Sequence, residues 1–305
     1  MFVVRIAVTA ASLAVIACQP SGSAGSLAPL GGSEGPHGSL VIVGGGPRPR
    51  ELRERFVQLA GGAGRANIVV FAMASEEGKE SGEEEAATLR AMGADAQSLY
   101  LTRAEADADS NVARVAKATG IWFGGGDQAR LTAALKGTRI EAMMHQRYAA
   151  RAVIGGTSAG AAVMSAVMLT GDERRRGGDR YPSDSSDAFM TIARENVVTV
   201  PGFGFVTNAV VDQHFFRRKR HNRLISVVLE NPALIGVGID ESTALVVDSV
   251  GRWTVIGASA VIVYDARKAS VTPPSAKVLG AAGITVGVLP AGSSYDPLTG
   301  RATLP

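Results

Sequence analysis

The stretch AVIGGTSAGAAVMSAVM, residues 152–168, decides the fold. Its first three residues form a short apolar run, a glycine-rich turn follows at 155–160, and a second apolar run occupies 161–168. A short apolar run before glycines predicts a strand, and the longer run after them predicts a helix. A strand that passes through a tight turn into a helix is the building unit of α/β sheets.

The same unit recurs along the chain. Further units combine a strand at 40–43 with a helix at 51–59, a strand at 67–73 with a helix at 83–92, and a strand at 120–123 with a helix at 128–135. Additional strands are predicted at 209–211, 234–239 and 244–247, with an antiparallel pair at 253–256 and 260–264. We therefore expect an α/β fold with a mostly parallel, doubly wound sheet flanked by helices. Its ligands should bind at the carboxyl ends of the strands.

Composition excludes several classes of protein. The 305 residues are 46% hydrophobic and include 37 glycines, which suits one large domain with many tight turns. The formal net charge of +3 is too small to predict binding to nucleic acid. A single cysteine excludes zinc sites of the Cys/His type, and we expect no metal site.

The N-terminus predicts export. Residues 1–18 carry Arg5 and then an apolar run at 6–17, which is typical of a signal peptide and too short for a membrane span. The run ends in Val-Ile-Ala-Cys, so Cys18 is expected to carry a lipid anchor. The alternative is an ordinary secretory peptide that is cut near residues 21–25. Both place the mature protein in the periplasm or outside the cell.

The rest of the chain divides into three parts. Residues 19–38 are rich in Ser, Gly and Pro, which predicts a flexible tether. Residues 39–266 hold the predicted α/β units and form the main domain. Residues 267–305 carry weak signals and are expected to form peripheral strands or loop packed on the same domain.

Ser158 is the candidate nucleophile. Residues 156–160 fit the G-x-S-x-G pattern in the strand-turn-helix context that this pattern requires. On such a turn the serine stands clear of the sheet, and the amides at the start of the next helix face an oxyanion. The alternative is a structural glycine turn whose serine caps the helix.

A serine hydroxyl needs a general base, and the chain has four histidines. His214 follows the strand predicted at 209–211, so it should lie at a carboxyl strand edge. His37 falls in the tether, and His145 falls in a predicted helix. His221, within a basic stretch, is the weaker alternative.

A carboxylate should orient the histidine. Glu241 follows the strand predicted at 234–239, but Asp240 and Asp212 lie at similar positions, and position alone does not separate the three. The order Ser158, His214, acid also differs from the Ser, acid, His order of α/β-hydrolases.

Two further features lie close to these residues. The turn at 124–127 offers the amides of Gly125 and Gly126 as oxyanion donors, with Gln128 facing the substrate. It lacks the P-loop pattern, and the glycines at 44–46 are too few for a dinucleotide fingerprint. A basic cluster follows His214 and can clamp carboxylates; its members are Arg217, Arg218, Lys219, Arg220 and Arg223.

Four blocks together resemble the cyanophycinases of peptidase family S51, over roughly residues 39–266. They lie at 123–128, at 155–164, at 212–215 with the arginines behind, and at 238–244. The resemblance implies a fold like that of class I glutamine amidotransferases, no cofactor, and a triad of Ser158, His214 and Glu241. It also implies a serine exopeptidase that cuts multi-L-arginyl-poly-L-aspartate into β-aspartyl-arginine dipeptides.

The resemblance further assigns the binding residues. The amide of Ala159, with one from Gly125 or Gly126, would hold the oxyanion. The expected substrate-binding residues are Gln128, Asp212, Gln213, Arg218, Arg220 and Arg223. Relatives of this kind are often homodimers, although the sequence itself does not determine the oligomeric state.

Two departures from the intracellular enzymes leave the substrate open. These are the exported N-terminus and a polar segment at 172–187, which is expected to form a flap or specificity loop. One alternative is an aspartyl or isoaspartyl dipeptidase of the same family. Another is an exported protein that binds acidic peptides without catalysis, and a third is a basic interaction module.

Overall fold

The computed structural model describes residues 37–174, 192–276 and 278–305. The predicted signal peptide, Cys18, nearly all of the tether and residues 175–187 of the polar segment lie outside the described residues. The strands are β1 Leu40–Val43, β2 Asn67–Phe71, β3 Asp95–Leu99, β4 Gly120–Phe123, β5 Val153–Thr157, β6 Val167–Glu173, β7 Val197–Pro201, β8 Ala209–Gln213, β9 Ile235–Ile239, β10 Thr243–Val247, β11 Trp253–Gly257, β12 Ala260–Asp265, β13 Ser270–Val271, β14 Ala281–Ala282, β15 Thr285–Pro290, β16 Ser294–Asp296 and β17 Arg301–Thr303. The α-helices are α1 Arg50–Leu59, α2 Gly78–Ala91, α3 Asp109–Ala116, α4 Gln128–Leu135, α5 Arg139–Ala149, α6 Ala159–Ala162 and α7 His221–Glu230.

The larger sheet has nine strands in the order β17-β16-β11-β10-β1-β5-β4-β2-β3. Strands β1 to β5 pair in parallel, as the repeated strand-helix units predict. Strands β10, β11, β16 and β17 add an antiparallel edge. The sheet is therefore mixed, with its parallel half built from the N-terminal units.

A second sheet has four strands in the order β15-β12-β9-β8. Strands β8 and β9 are parallel, whereas β12 and β15 are antiparallel to their neighbours. The α/β class is as predicted, but the expectation that these strands share the sheet of Ser158 is wrong, because the strands that precede His214 and Glu241 belong to a sheet of their own.

The predicted antiparallel pair at 253–256 and 260–264 is also wrong. Strand β11 pairs with β10 and β16, whereas β12 pairs with β9 and β15. The short connection between them bonds back to the start of β10: the Ala258 amide donates to the Ser242 carbonyl (2.9 Å) and the Ser259 amide to the Thr243 hydroxyl (2.9 Å). This connection carries the chain from one sheet to the other.

The predicted helix at 161–168 is much shorter than expected. Helix α6 ends at Ala162, and β6 begins at Val167. The carbonyls of Val163 and Met164 accept from the amides of Phe203 (2.6 Å) and Val206 (2.8 Å) instead of continuing the helix. An apolar run of this length does not distinguish helix from strand by periodicity, so tertiary partners decide.

Packing in the core fixes the position of the parallel strands, including β5, whose end leads into the turn of Ser158. Both faces of the parallel strands are buried, with Phe56 and Trp122 in edge contact on one face and Phe123 stacked on Phe203 on the other. Residues 267–305 add β15 to the smaller sheet and β16 and β17 to the larger one. No helix within the described ranges is long and apolar enough to cross a membrane.

Candidate active site

Ser158 lies on a strained turn between β5 and α6. Its φ is +54°, a conformation that non-glycine residues rarely adopt, and its amide donates to the Val43 carbonyl of β1 (3.0 Å). A side chain at Gly156 would overlap the backbone of Gly160, and one at Gly160 would overlap the carbonyl of Phe123. The glycines of the motif therefore let the turn close tightly enough to present the serine.

His214 follows β8 and meets Ser158 across the junction of the two sheets. Its Nε2 lies 2.9 Å from the Ser158 Oγ, and the residue is buried. Its φ is +50°, and its amide donates to the Gly44 carbonyl (2.6 Å). The backbone thus holds the ring against the turn that follows β1.

Glu241 follows β9 and approaches the other side of the ring. Its Oε1 lies 2.6 Å from the His214 Nδ1. Asp240 turns away: its carboxylate accepts from the amides of Phe216 and Arg217 (both 3.1 Å) and from the Ser259 hydroxyl (2.8 Å). The structure thus brings Glu241, and not its neighbour, to the histidine.

The other histidines lie in other environments. His145 stacks on Phe205, with ring centroids 4.6 Å apart. The Nδ1 of His221 lies 2.6 Å from the Tyr264 hydroxyl. His37 stacks on Tyr148 at 5.5 Å. Of the four candidates, only His214 contacts Ser158 within the described part of the chain.

The turn at 44–46 is a part of the site that sequence reasoning missed. A side chain at Gly45 would overlap the His214 ring, and one at Gly46 would place its Cβ 2.8 Å from the Glu241 Oε2. The amide of Ser242 also donates to the Gly45 carbonyl (2.9 Å). These glycines form the surface on which the histidine and the glutamate rest. The sequence feature that could have indicated this role was the position of these glycines directly after the predicted strand at 40–43.

Electrostatics favour a neutral imidazole. Burial lowers the pKa of His214 below its ordinary value of 6.5 and outweighs the hydrogen bond to Glu241, which raises it. The nearby charges of Arg218 and Arg220 lower the pKa further. Because the Glu241 carboxylate accepts from Nδ1–H, the Nε2 lone pair faces Ser158 and can accept its proton.

Candidate oxyanion donors lie beside Ser158. A methyl group at Gly125 would lie 3.6 Å from the Ser158 Cβ, so the backbone of Gly125 passes close to the serine. Among the described residues, the amides of Gly125, Gly126 and Ala159 have no backbone acceptor. Gly126 has φ +136° and lies against the Ala74 carbonyl, which fixes the turn. Free amides at this position can stabilise a tetrahedral oxyanion.

The predicted binding residues fall into two groups. Arg223 and Asp212 are buried and form a two-point ion pair, with the Arg223 Nε 2.7 Å from the Asp212 Oδ2. Arg220 donates to the Gln213 carbonyl (2.7 Å), and burial lowers its pKa to about 10. These four residues brace the loop that carries His214.

Arg218 and Gln128 are placed differently. Arg218 is exposed, and its charge reaches His214, so it lies at the open side of the site. Gln128 is buried, and its Nε2 donates to the carbonyls of Leu169 (2.8 Å) and Thr170 (2.5 Å). It thereby ties α4 to β6.

No cluster of three or more His, Cys, Asp or Glu side chains suited to a metal ion occurs in residues 37–174, 192–276 and 278–305. The chemistry that this arrangement supports needs only the groups present. The serine hydroxyl is hydrogen-bonded to a neutral histidine, and the histidine is hydrogen-bonded to a carboxylate. With free backbone amides beside the hydroxyl, this arrangement can carry out nucleophilic acyl transfer.

Comparison with known proteins identifies the family of the chain. The sequence model of peptidase family S51 matches residues 40–251. The cyanophycinase of Synechococcus elongatus is 35% identical over 243 residues, which cover 77% of this chain and 71% of that one. The cyanophycinase of Trichormus variabilis is 31% identical over 233 residues, which cover 74% of this chain and 73% of that one.

A solved structure shares the fold. The crystal structure of a peptidase from an acI-B1 Actinobacterium superposes with a TM-score of 0.60 at 25% identity, and it covers 85% of this chain and 97% of that one. The α/β fold of the class I glutamine amidotransferase type is therefore confirmed. On these grounds the chain belongs to peptidase family S51 and is a peptidase.

Proposed function

We propose that this peptidase is a serine exopeptidase that hydrolyses multi-L-arginyl-poly-L-aspartate, or cyanophycin, to β-aspartyl-arginine dipeptides. The observation that carries the proposal is one continuous line of hydrogen bonds. It runs from the Ser158 Oγ to the His214 Nε2 (2.9 Å) and from the His214 Nδ1 to the Glu241 Oε1 (2.6 Å). The line has the geometry of a nucleophile, a base and an orienting carboxylate.

Acylation begins when the Ser158 Oγ attacks the carbonyl carbon of the scissile amide between two backbone aspartates. The hydroxyl proton passes to the His214 Nε2, and Glu241 stabilises the imidazolium that forms. The negative charge on the carbonyl oxygen is held by the amides of Ala159 and of Gly125 or Gly126. The C–N bond then breaks, and the imidazolium gives its proton to the leaving amine.

Deacylation repeats these roles with water. A water molecule attacks the ester carbonyl while the His214 Nε2 takes its proton. The C–O bond to Ser158 breaks, and the imidazolium returns its proton to the serine Oγ. The enzyme regains its starting state, and no cofactor is consumed.

Two observations support the substrate. Relatives at 31% and 35% identity are cyanophycinases, and residues 40–251, which the family model matches, include every residue of the proposed triad. Arg217 and Arg218 are exposed just after His214, where they can meet the free carboxylates that each arginine branch of the polymer carries.

Export and lipidation at Cys18 belong to the same proposal. An exported enzyme would act on polymer released by other cells. Growth of an expressing bacterium with a labelled fatty acid tests the anchor: label should enter the wild-type chain and not Cys18→Ser. Equal labelling of both chains would contradict it.

The decisive experiment incubates the purified wild-type domain and the Ser158→Ala variant with insoluble cyanophycin and analyses the soluble products by mass spectrometry. We expect β-aspartyl-arginine dipeptide from the wild type and at least about a thousandfold less from the variant, with its circular dichroism unchanged. Equal release by both would exclude Ser158 as the nucleophile. Cleavage of short aspartyl or isoaspartyl peptides alone would identify a dipeptidase of the same family.

A further inference from the structure

A cavity lies close to the turn that carries Ser158, and neither Ser158 nor His214 is among its lining residues. It has a volume of about 200 Å³ and lies at the carboxyl ends of β2, β4 and β5, beneath α2. Its lining includes Gly125, which flanks the nucleophile, and Thr157, which directly precedes it. Arg48 and Glu85 line its polar side. The cavity is therefore next to the reacting carbonyl and separate from the arginines that follow His214.

Two of the residues that line this cavity carry a buried donor without a protein partner. The Thr157 Oγ1 and the Arg48 Nε are buried without a hydrogen bond to any described residue. The Thr157 residue is only 3% exposed. Buried polar atoms nearly always have a partner, because leaving one unpaired costs the free energy of its lost hydration. A ligand or an ordered water should therefore meet these two atoms.

The charges select the kind of ligand. Glu85 accepts from the Arg48 Nη2 (2.9 Å) and from the Arg53 Nε (2.9 Å) and Nη2 (3.0 Å). Its carboxylate is thus already satisfied, and two guanidinium groups against one carboxylate leave a net positive charge. The unpaired donors and the net positive charge favour an anionic oxygen ligand. A cation is disfavoured because the Glu85 carboxylate already accepts hydrogen bonds from both arginines.

We propose that this cavity is a substrate subsite that binds a free carboxylate beside the scissile amide, through the Thr157 Oγ1 and the Arg48 Nε. The inference rests on the proposed peptidase function and adds a recognition element to it. The volume accommodates a carboxyl group on a few carbon atoms and no continuous polymer. The carboxylate is therefore either the chain terminus or the tip of an arginine branch.

Binding calorimetry in the Ser158→Ala background separates these two sources without turnover. The ligands are a short β-aspartyl-arginine peptide, the same peptide with its terminal carboxyl amidated, and the same peptide with agmatine in place of arginine. The subsite variants are Thr157→Val, which keeps the side-chain shape, and Arg48→Gln, after which Arg53 still pairs with Glu85. The matched control is Arg50→Gln, an exposed arginine of α1 that pairs with Glu54.

We expect loss of the bound carboxylate to weaken binding about tenfold to a hundredfold in the parent and the Arg50→Gln control. The same ligand change should have less than about a twofold effect in Thr157→Val and Arg48→Gln. If the amidated peptide binds more weakly, the bound carboxylate is the chain terminus. If the agmatine-substituted peptide binds more weakly, it is the carboxylate of the arginine branch. Equal penalties in the parent and both subsite variants would overturn the inference and leave only water in the cavity.

Failure of the two proposals can be told apart. If the wild type releases no dipeptide from the polymer, the cyanophycinase function fails, and the comparison is repeated with α-linked aspartyl peptides as acids and amides. A protein that binds acid and amide forms of both series equally, or neither, overturns the subsite as well. Thermal unfolding of each variant reports its fold, and Thr157→Val preserves the test if Arg48→Gln is unstable.

Discussion

At the scale of single residues, the roles of two adjacent carboxylates are set by their hydrogen bonds. Glu241 bonds to His214, whereas Asp240 is engaged by two backbone amides and the Ser259 hydroxyl. Glu241→Gln should lower kcat by about a hundredfold to ten-thousandfold with little change in KM, because the amide can no longer stabilise the imidazolium. Asp240→Asn is the control and should retain activity within about tenfold. Equal losses in steady-state peptide hydrolysis would contradict the assigned roles.

The pH profile is a second prediction at this scale. In the proposed mechanism neutral His214 is the active form, and burial lowers its pKa below 6.5. As the pH is lowered, kcat/KM should therefore stay constant past pH 6.5. It should fall only when the pH drops through the lowered pKa of His214. Arg218→Gln removes a positive charge that lowers this pKa, so the acidic limb should shift to higher pH. Arg217→Gln, exposed and without this effect on His214, is the control, and identical shifts in both variants would refute the explanation.

At the scale of elements, the turn after β1 positions His214 and Glu241, the proposed base and its carboxylate. A methyl group at Gly45 would overlap the His214 ring, and its φ of +100° adds backbone strain. Gly45→Ala should therefore abolish most peptidase activity as well as destabilise the fold. Gly62→Ala is a matched control, since Gly62 has φ +81° and nothing within 4 Å of the added methyl. Both should lose about 1–2 kcal/mol of stability from strain, and only Gly45→Ala should lose activity; full activity in Gly45→Ala would contradict the role of the turn.

The same elements explain what the sequence could predict. The strand-helix units and the turn of Ser158 are local patterns, and β1, β2 and β4 begin where these patterns place them, whereas β5 continues to Thr157, into the predicted turn. The sheet to which β11 and β12 belong depends on partners far along the chain, so their pairing was predicted wrongly. The choice between Glu241 and Asp240 depends on contacts with Phe216 and Ser259 that no spacing reveals.

At the scale of the whole molecule, the site exists only while two sheets stay joined. Ser158 follows a strand of the larger sheet and His214 a strand of the smaller one. Strand β8 is the edge of its sheet, and the outward amide of Val211 donates to the Ser165 Oγ (3.0 Å). Ser165 is fully buried and also bridges to Val206. The Ser165 hydroxyl therefore accepts a hydrogen bond from a backbone amide of the edge strand β8, at the junction where the candidate active site forms.

Replacing that hydroxyl tests the coupling. Ser165→Ala leaves the Val211 amide buried and unpaired, which should cost about 1–3 kcal/mol in the free energy of unfolding. Urea unfolding followed by circular dichroism and by tryptophan fluorescence should still give one coincident transition, because the sheets share their core. Ser110→Ala, on the exposed surface of α3, should change stability by less than about 0.5 kcal/mol. If Ser165→Ala instead separates the two transitions, the sheets unfold independently and the triad depends on a junction weaker than the contacts imply.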